Sequence, residues 1–203
     1  MGAHHGRRGV DGYDAVVLAG GAARRLGGVD KPGLDVGGRT MLERVAEAVR
    51  DAALLVVVGP PRPRPAARYV REDPPGAGPL PALRTGLAEV GSPWFALLAA
   101  DMPFLDGEAV AALRRAAAVG DGAVLVDAEG RPQWLAGLWR TAAVRAALAD
   151  YSGRSLRGLL APLDPAEVLR PEAARDCDTP EELARAREAG DSEPRGRLGP
   201  GGS

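Results

Sequence analysis

Three unbroken apolar runs punctuate the first half of the chain: Ala15 to Ala19 (AVVLA), Leu54 to Val58 (LLVVV) and Trp94 to Ala100 (WFALLAA). Each has strand length, and continuous hydrophobicity marks a strand covered on both faces, as in a parallel sheet. Between the first two runs the period changes. Leu42, Val45, Ala46 and Val49 recur at helical spacing behind Thr40, which opens a capping box with Glu43, so the pattern predicts a helix ending near Ala52. Leu80, Leu83 and Leu87 predict a second helix behind the Gly- and Pro-rich stretch Glu72 to Pro79, and a third is predicted from about Gly107 to Ala118. Ala123 to Val126 and Trp134 to Trp139 read as further strands. Gly37-Gly38 is a turn and Pro60 to Pro65 a surface loop, while Ser155 and Thr179 read as N-caps, the latter with Pro180 and Glu182 behind it.

Strands alternating with helices predict an α/β fold: a Rossmann-like, three-layer α/β/α arrangement with a mostly parallel, mixed central sheet. Ligands of such sheets bind beyond the carboxyl ends of the strands. That rule brings the loop after Ala19, the loop around Asp73 and Asp101 to one edge. A length of 203 residues suits one domain, expected over residues 13–189. The flanks 1–12 and 190–203 carry no apolar pattern and are expected to be disordered tails.

Composition narrows the function classes. The net charge of -1 and the lack of long like-charge blocks argue against a nucleic-acid footprint. No stretch approaches the roughly 20 apolar residues of a membrane-spanning helix, and the single cysteine, Cys177, cannot form an internal disulfide. Its thiol is expected to behave as a small buried apolar group. With no apolar run behind the arginines near the start, a cytoplasmic location is expected. One asymmetry is more pointed: of 26 basic residues, Lys31 is the only lysine. An ammonium is a compact point charge and a guanidinium a planar fork, so the two differ where one phosphate oxygen is met end-on.

Lys31 closes the segment Leu18 to Pro32, LAGGAARRLGGVDKP. Gly20, Gly21, Gly27 and Gly28 allow close backbone approach to a ligand, and Arg24, Arg25 and Lys31 place three cations within eight residues. Neither the GxxxxGK[ST] nor the GxGxxG spacing is present. Leu18, Ala19, Gly20, Gly21, Arg24 and Lys31 are the candidate nucleotide-binding residues of this loop, with Arg25 and Lys31 placed on the phosphates. Asp30 either orients Lys31 through a salt bridge or is an ordinary solvated carboxylate.

This string resembles the signature of sugar-nucleotide and cofactor nucleotidyltransferases, and its inner part, ARRLGGVDK, is similar to the form found in molybdenum cofactor guanylyltransferases. The likeness continues in order through Asp73 ahead of GPL at Gly78 to Leu80, DMPFL at Asp101 to Leu105, QWLAGLWR at Gln133 to Arg140, SLRGLL at Ser155 to Leu160 and DCDTPEEL at Asp176 to Leu183. It covers about residues 14–187. The resemblance implies the nucleotide-diphospho-sugar transferase type of fold and transfer of GMP from GTP to the terminal phosphate of molybdopterin, with Mg²⁺ as cofactor and release of pyrophosphate. It further implies molybdoenzyme acceptors and a GTP-binding adaptor as partners. The chain departs from the family with Pro60 and Pro61 where an Asn is usual, Pro81 for Ala, and Trp134 for the Pro after Gln133. Two alternatives stay open: a related enzyme using CTP or another phosphorylated acceptor, and an inactive GTP-binding partner protein.

The chemistry fits these residues. A phosphate monoester has its second pKa near 6, so the attacking oxygen is already largely ionised at pH 7 and needs no general base. The only histidines, His4 and His5, lie in the expected N-terminal tail. What the reaction needs is cations on the transferred and leaving phosphates. Asp101, directly after a buried strand, is the candidate catalytic carboxylate, either holding metal or capping the turn before Pro103. Asp178 matches the second metal ligand of the superfamily, where guanylyltransferases often carry Asn; capping of the last helix is its other reading. Asp73 matches the guanine-contacting aspartate of the family, and two adjacent N–H donors on guanine suit a carboxylate acceptor; its other reading is a turn residue ahead of Pro74.

Overall fold

The central strand β1 (Asp14–Leu18) is buried at every position, including its one charged residue. A computed structural model of the chain describes residues 10–20, 30–175 and 177. Asp14 tolerates burial because it takes the backbone N–H groups of Gly91 and Ser92 at 2.8 and 2.9 Å and the Ser92 hydroxyl at 2.8 Å. Those bonds fix the start of β1 to the turn ahead of β6 (Trp94–Ala99). On its two long edges β1 pairs in parallel with β4 (Leu55–Val58) and with β6.

The sheet has seven strands in the order β5-β4-β1-β6-β8-β7-β9, where β5 is Arg68–Val70, β7 Gly122–Val126, β8 Pro132–Arg140 and β9 Ala166–Leu169. Only β8 runs against its neighbours β6 and β7, and β9 lies parallel to β7. The chain therefore winds outward from β1 through β4 to β5, then crosses back to β6 on the other side of β1. A two-stranded hairpin, β2 (Asp35–Val36) and β3 (Arg39–Thr40), turns on Gly37 and Gly38, both at positive φ.

Two apolar layers sandwich this sheet. Ala15 and Val17 point to one, with Leu42 and Val45 of α1 (Met41–Ala48) and Val110 and Leu113 of α3 (Gly107–Ala117). Val16 and Leu18 point to the other, with Leu83 and Leu87 of α2 (Pro79–Ala88), Val144 and Leu148 of α4 (Thr141–Asp150) and Leu156 and Leu159 of α5 (Leu156–Leu160). Period-two alternation thus divides one apolar run between two cores. At Gly86 the approach of α2 is so close that a Cβ would lie 2.5 Å from a Val16 methyl. No helix among the described residues is long and apolar enough to cross a membrane.

The three-layer mixed architecture agrees with the sequence reading, and the differences are local. Helix α1 stops at Ala48, a turn short of Ala52, and β8 begins at Pro132 rather than Trp134. Strands β5 and β9 and helix α4 leave no mark in the hydrophobic pattern. Val10 belongs to the core and its carbonyl accepts two bonds from the Arg114 guanidinium, so packing begins three residues ahead of Tyr13. Asp11 and Gly12 are exposed, and residues 1–9 and 190–203 of the expected tails lie outside the described residues, as does the Thr179 cap.

Candidate active site

Beyond the formal strand ends the ladder continues for one more residue. Ala19 N–H donates to Val58 O at 2.9 Å, Gly59 N–H to Val70 O at 2.9 Å, and Ala100 N–H to Leu18 O at 3.1 Å. The carboxyl ends of β5, β4, β1 and β6 are therefore held level. Because β4 and β6 flank β1 and the chain reverses its winding direction there, the crevice above Leu18 is the topological switch point where open α/β sheets take their ligands. Leu18 and Ala19 are buried at its floor, and Gly20 is exposed at its lip. Gly21, Arg24 and Arg25 lie outside the described residues.

The chain re-enters at Asp30 and makes a short 3₁₀ turn, Lys31–Gly33. From that turn the Lys31 ammonium reaches across the crevice to Asp101, with Nζ 3.5 Å from Oδ2. The two side chains are 12% and 29% exposed, so the pair is sheltered yet open to a ligand on the carboxylate side. Seventy residues apart in sequence, the only lysine and the acid at the end of β6 meet at one point. Asp30 does not serve as the prop for Lys31. Its carboxylate is held by both terminal nitrogens of Arg62, one at 2.7 Å and the other shorter still. These charge-assisted bonds raise the Arg62 guanidinium above its usual range, against the opposing effect of burial. Arg62 thus ties the loop after β4 to the Lys31 turn, a contact that a proline-rich loop gave no reason to expect.

Asp73 is exposed in the loop between β5 and α2, and the Asp73–Pro74 peptide is cis. The loop closes on Gly78, whose φ of 111° is open only to glycine, and Pro79 then starts α2. Asp73 therefore stands at the same sheet edge as the loop beginning at Gly20. Its neighbour Glu72 is the residue that sequence reasoning passed over. Glu72 is buried, accepts the Gly76 N–H at 2.9 Å, and lies directly against Gly20. Alternation was the available signal: with Asp73 facing out from an extended segment, Glu72 faces in.

On the far side of Asp101, Cys177 N–H donates to Asp101 O at 3.0 Å, and the thiol is buried with Val36 and Met41. Cys177 thus packs as a small apolar residue, as its composition context suggested. Asp178 lies outside the described residues. Between β8 and α5 a cavity of about 430 Å³ opens beside Asp101, lined among others by Met102, Gln133, Trp134, Leu156 and Arg157. The Trp134 ring stacks on the buried Trp139 with centroids 6.5 Å apart. The site is therefore bipartite: the Lys31–Asp101 pair sits at the centre, with carboxylate-bearing loops on the β5–β4 side and an aromatic-walled cavity on the β8 side.

Comparison with known proteins decides the class of this arrangement. The pattern describing the MobA-like NTP transferase domain matches residues 15–168. The chain belongs to the MobA-like NTP transferase family. It is accordingly a nucleotidyltransferase, and the loop, the Lys31–Asp101 pair and most of the cavity lining fall within the matched span. Among similar proteins is a "Probable molybdenum cofactor guanylyltransferase" of Mycobacterium avium (strain 104), 34% identical over 169 residues, spanning 78% of this chain and 85% of the relative. The fold is shared with the molybdopterin-guanine dinucleotide biosynthesis protein A from Archaeoglobus fulgidus at a TM-score of 0.64 and 23% identity, covering 87% of this chain and 97% of that one. It is shared equally with the 2-C-methyl-D-erythritol 4-phosphate cytidylyltransferase from Thermus thermophilus, at a TM-score of 0.69 and 21% identity, covering 88% and 98%. These two likenesses speak to the fold alone.

Proposed function

We propose that this MobA-like transferase moves GMP from GTP onto the terminal phosphate of molybdopterin and releases pyrophosphate. The observation that carries the reading is the Lys31–Asp101 pair at the switch point, a cation for phosphate and an anion for metal brought within 3.5 Å. The similarity to a relative named as a molybdenum cofactor guanylyltransferase supports the choice of nucleotide and acceptor.

An oxygen of the acceptor phosphate attacks the α-phosphorus of GTP, a new P–O bond forms, and the bond to the β-phosphate oxygen breaks with its electron pair leaving on pyrophosphate. The acceptor oxygen is already ionised near neutral pH, so no side chain has to remove a proton. Lys31 supplies positive charge where the α-phosphate and leaving group accumulate negative charge, and being sheltered it is screened less than a surface cation. Arg24 and Arg25 are proposed to share that work. Asp73 accepts the adjacent N–H donors of guanine, and Leu18 to Gly21 carry the nucleotide on their backbone.

The residues present suit Mg²⁺. Asp101 Oδ2 faces Lys31, while Oδ1 takes no hydrogen bond among the described residues and remains a hard oxygen donor at the same crevice. Magnesium is characteristically held by one or two carboxylates together with substrate phosphates, so Asp101, with Asp178 as its partner, would hold it. When bound, the ion neutralises charge on the transferred and leaving phosphates.

Flat acceptor rings suit the cavity beside Asp101, where Trp134 offers an aromatic wall and Arg157 a cation. The decisive assay is pyrophosphate release from GTP with magnesium and molybdopterin-loaded acceptor. The Lys31→Ala variant should release pyrophosphate about 100-fold more slowly or less, the scale of losing one preorganised charge. Release from CTP in preference to GTP moves the substrate to the related cytidylyl reading. Tight GTP binding without any product identifies a nucleotide-binding partner protein instead.

A further inference from the structure

Glu72 is one of three polar or charged residues buried among the described residues, the others being Asp14 and Thr141. Asp14 is saturated by three donors, and Thr141 donates to Ser92 O at 2.7 Å. Glu72 receives one bond, from Gly76 N–H, and forms no ion pair among the described residues. Its side chain is thus committed to the loop 72–78 at one oxygen and open to a further neighbour at the other. Its location supplies that neighbour. The side chain leaves the backbone just beyond β5 and reaches the end of β4, where a methyl group built on Gly20 would also lie 3.7 Å from Val58 O. There its two oxygens would lie 3.3 and 3.6 Å from a methyl group built on Gly20. One side chain thus touches the first residue of the phosphate-side loop and the middle of the base-side loop.

We propose that Glu72 is a positioning residue that sets the distance between the loop entered at Gly20 and the loop 72–78, so that phosphate and base contacts are presented at matching separation. The inference rests on the nucleotidyltransferase reading and deepens it: the carboxylate acts through Gly20 and Gly76, not by touching the nucleotide. A spacer of this kind must be held in place, and Glu72 is held because one oxygen is bonded to a backbone N–H while the carboxylate occupies the space beside Gly20 that a Cβ there would enter. Volume and one acceptor oxygen are what the role requires, and a glutamine supplies both. Accepting two adjacent nucleotide N–H donors side by side requires both carboxylate oxygens, which a glutamine lacks.

The test compares full-length wild type, Glu72→Gln and Glu72→Ala for equilibrium binding of GTP and CTP with magnesium, for KM and kcat in pyrophosphate release, and for melting temperature without nucleotide. Glu72→Ala is expected to bind the preferred nucleotide about 10-fold more weakly and to raise its KM by a similar factor, with kcat within about 3-fold of wild type. Glu72→Gln is expected to bind within about 3-fold of wild type. Equal binding by wild type and Glu72→Ala, or a change in melting temperature alone, overturns the proposal. So does a Glu72→Gln variant as weak as Glu72→Ala, which assigns the carboxylate to direct ligand contact. If wild type prefers CTP, the guanylyl reading fails while the same comparison, made with CTP, still judges Glu72. If wild type binds neither nucleotide, both fall.

Discussion

The pairing of Lys31 with Asp101 sets two requirements on one pair of atoms. Each neutralises the other in a partly sheltered crevice; under the proposed function, Lys31 would turn to phosphate and Asp101 to metal when nucleotide binds. Under that function, removing the Lys31 charge weakens phosphate binding and removing the Asp101 charge weakens metal binding, so the two substitutions should differ in what they spoil. Asp101→Asn keeps the side-chain volume and leaves the Asp101 carbonyl free to accept the Cys177 N–H, so the fold is expected to persist. Activity is expected to fall at least about 100-fold, with part of the loss recovered as magnesium is raised, which a metal titration of the variant would reveal. Failure of added magnesium to recover any activity would argue against Asp101 as the ligand. Both members of the pair were legible in the sequence, one because it is the only lysine, the other because an apolar run stops dead at a carboxylate. For Glu72 alternation marks only the inward face, and its meaning, like that of Arg62, lies in contacts across loops: Glu72 with Gly20 fifty-two residues earlier, Arg62 with Asp30. No local spacing records such contacts.

The elements that could be read from the chain are those whose signal is carried by several residues in concert. Thr40 shows this: its hydroxyl accepts the Glu43 N–H at 3.2 Å, and its own N–H donates to the Glu43 carboxylate at 2.8 Å, the complete capping box anticipated at the start of α1. The bond from the Thr40 backbone is the main reason the Glu43 carboxyl is held below its ordinary range, with Arg64 and Arg39 adding smaller pulls. A depressed folded-state pKa contributes stability above the unfolded value of about 4.3 and loses it as pH falls through the folded value. Thr40→Ala should therefore cost about 1 kcal/mol at pH 7 and lower the melting temperature by about 2–4 °C. The substitution keeps the backbone N–H that Glu43 accepts and removes only the hydroxyl's bond to that carboxylate, so a small part of the difference from wild type is expected to fade in melts as acid protonates Glu43; a pH-independent difference would mean that the hydroxyl–carboxylate bond contributes nothing. Elements that escaped the pattern lack such redundancy. Strand β5 is three residues long, β9 buries none of its four residues fully, and α4 reads as TAAVRAALAD with no side chain capping its start. In α4 only Val144 and Leu148 mark the buried face beside several alanines, which fit either face of a helix or a strand.

At the scale of the molecule, the sheet order divides the labour. Strands β5, β4 and β1 present Asp73, Glu72 and Gly20 to one side of the crevice, while β6 and the antiparallel β8 present Asp101, Gln133 and Trp134 to the other. The antiparallel strand matters here. Because β8 runs against β6, it is its amino end, from Pro132 to Trp134, that reaches the ligand edge, and this lets residues after the β7–β8 turn wall a cavity that a parallel strand would have opened at its other end. Under the proposed function, nucleotide and acceptor would occupy separate halves and meet only at Lys31 and Asp101. Trp134 is the test of that separation, since it lines the cavity, stacks on Trp139 and is remote in the sheet from β4 and β5. Trp134→Ala should raise KM for the phosphorylated acceptor about 5- to 10-fold, the loss of one aromatic contact of about 1 kcal/mol or slightly more. The Kd for GTP, measured without acceptor, should remain within about 2-fold of wild type because no atom of the β5–β4 half is disturbed. An equal weakening of both substrates would mean that the halves are coupled through the buried Trp139 rather than independent. A weakening of GTP alone would place the nucleotide in the β8 cavity and reverse the assignment of the two sides.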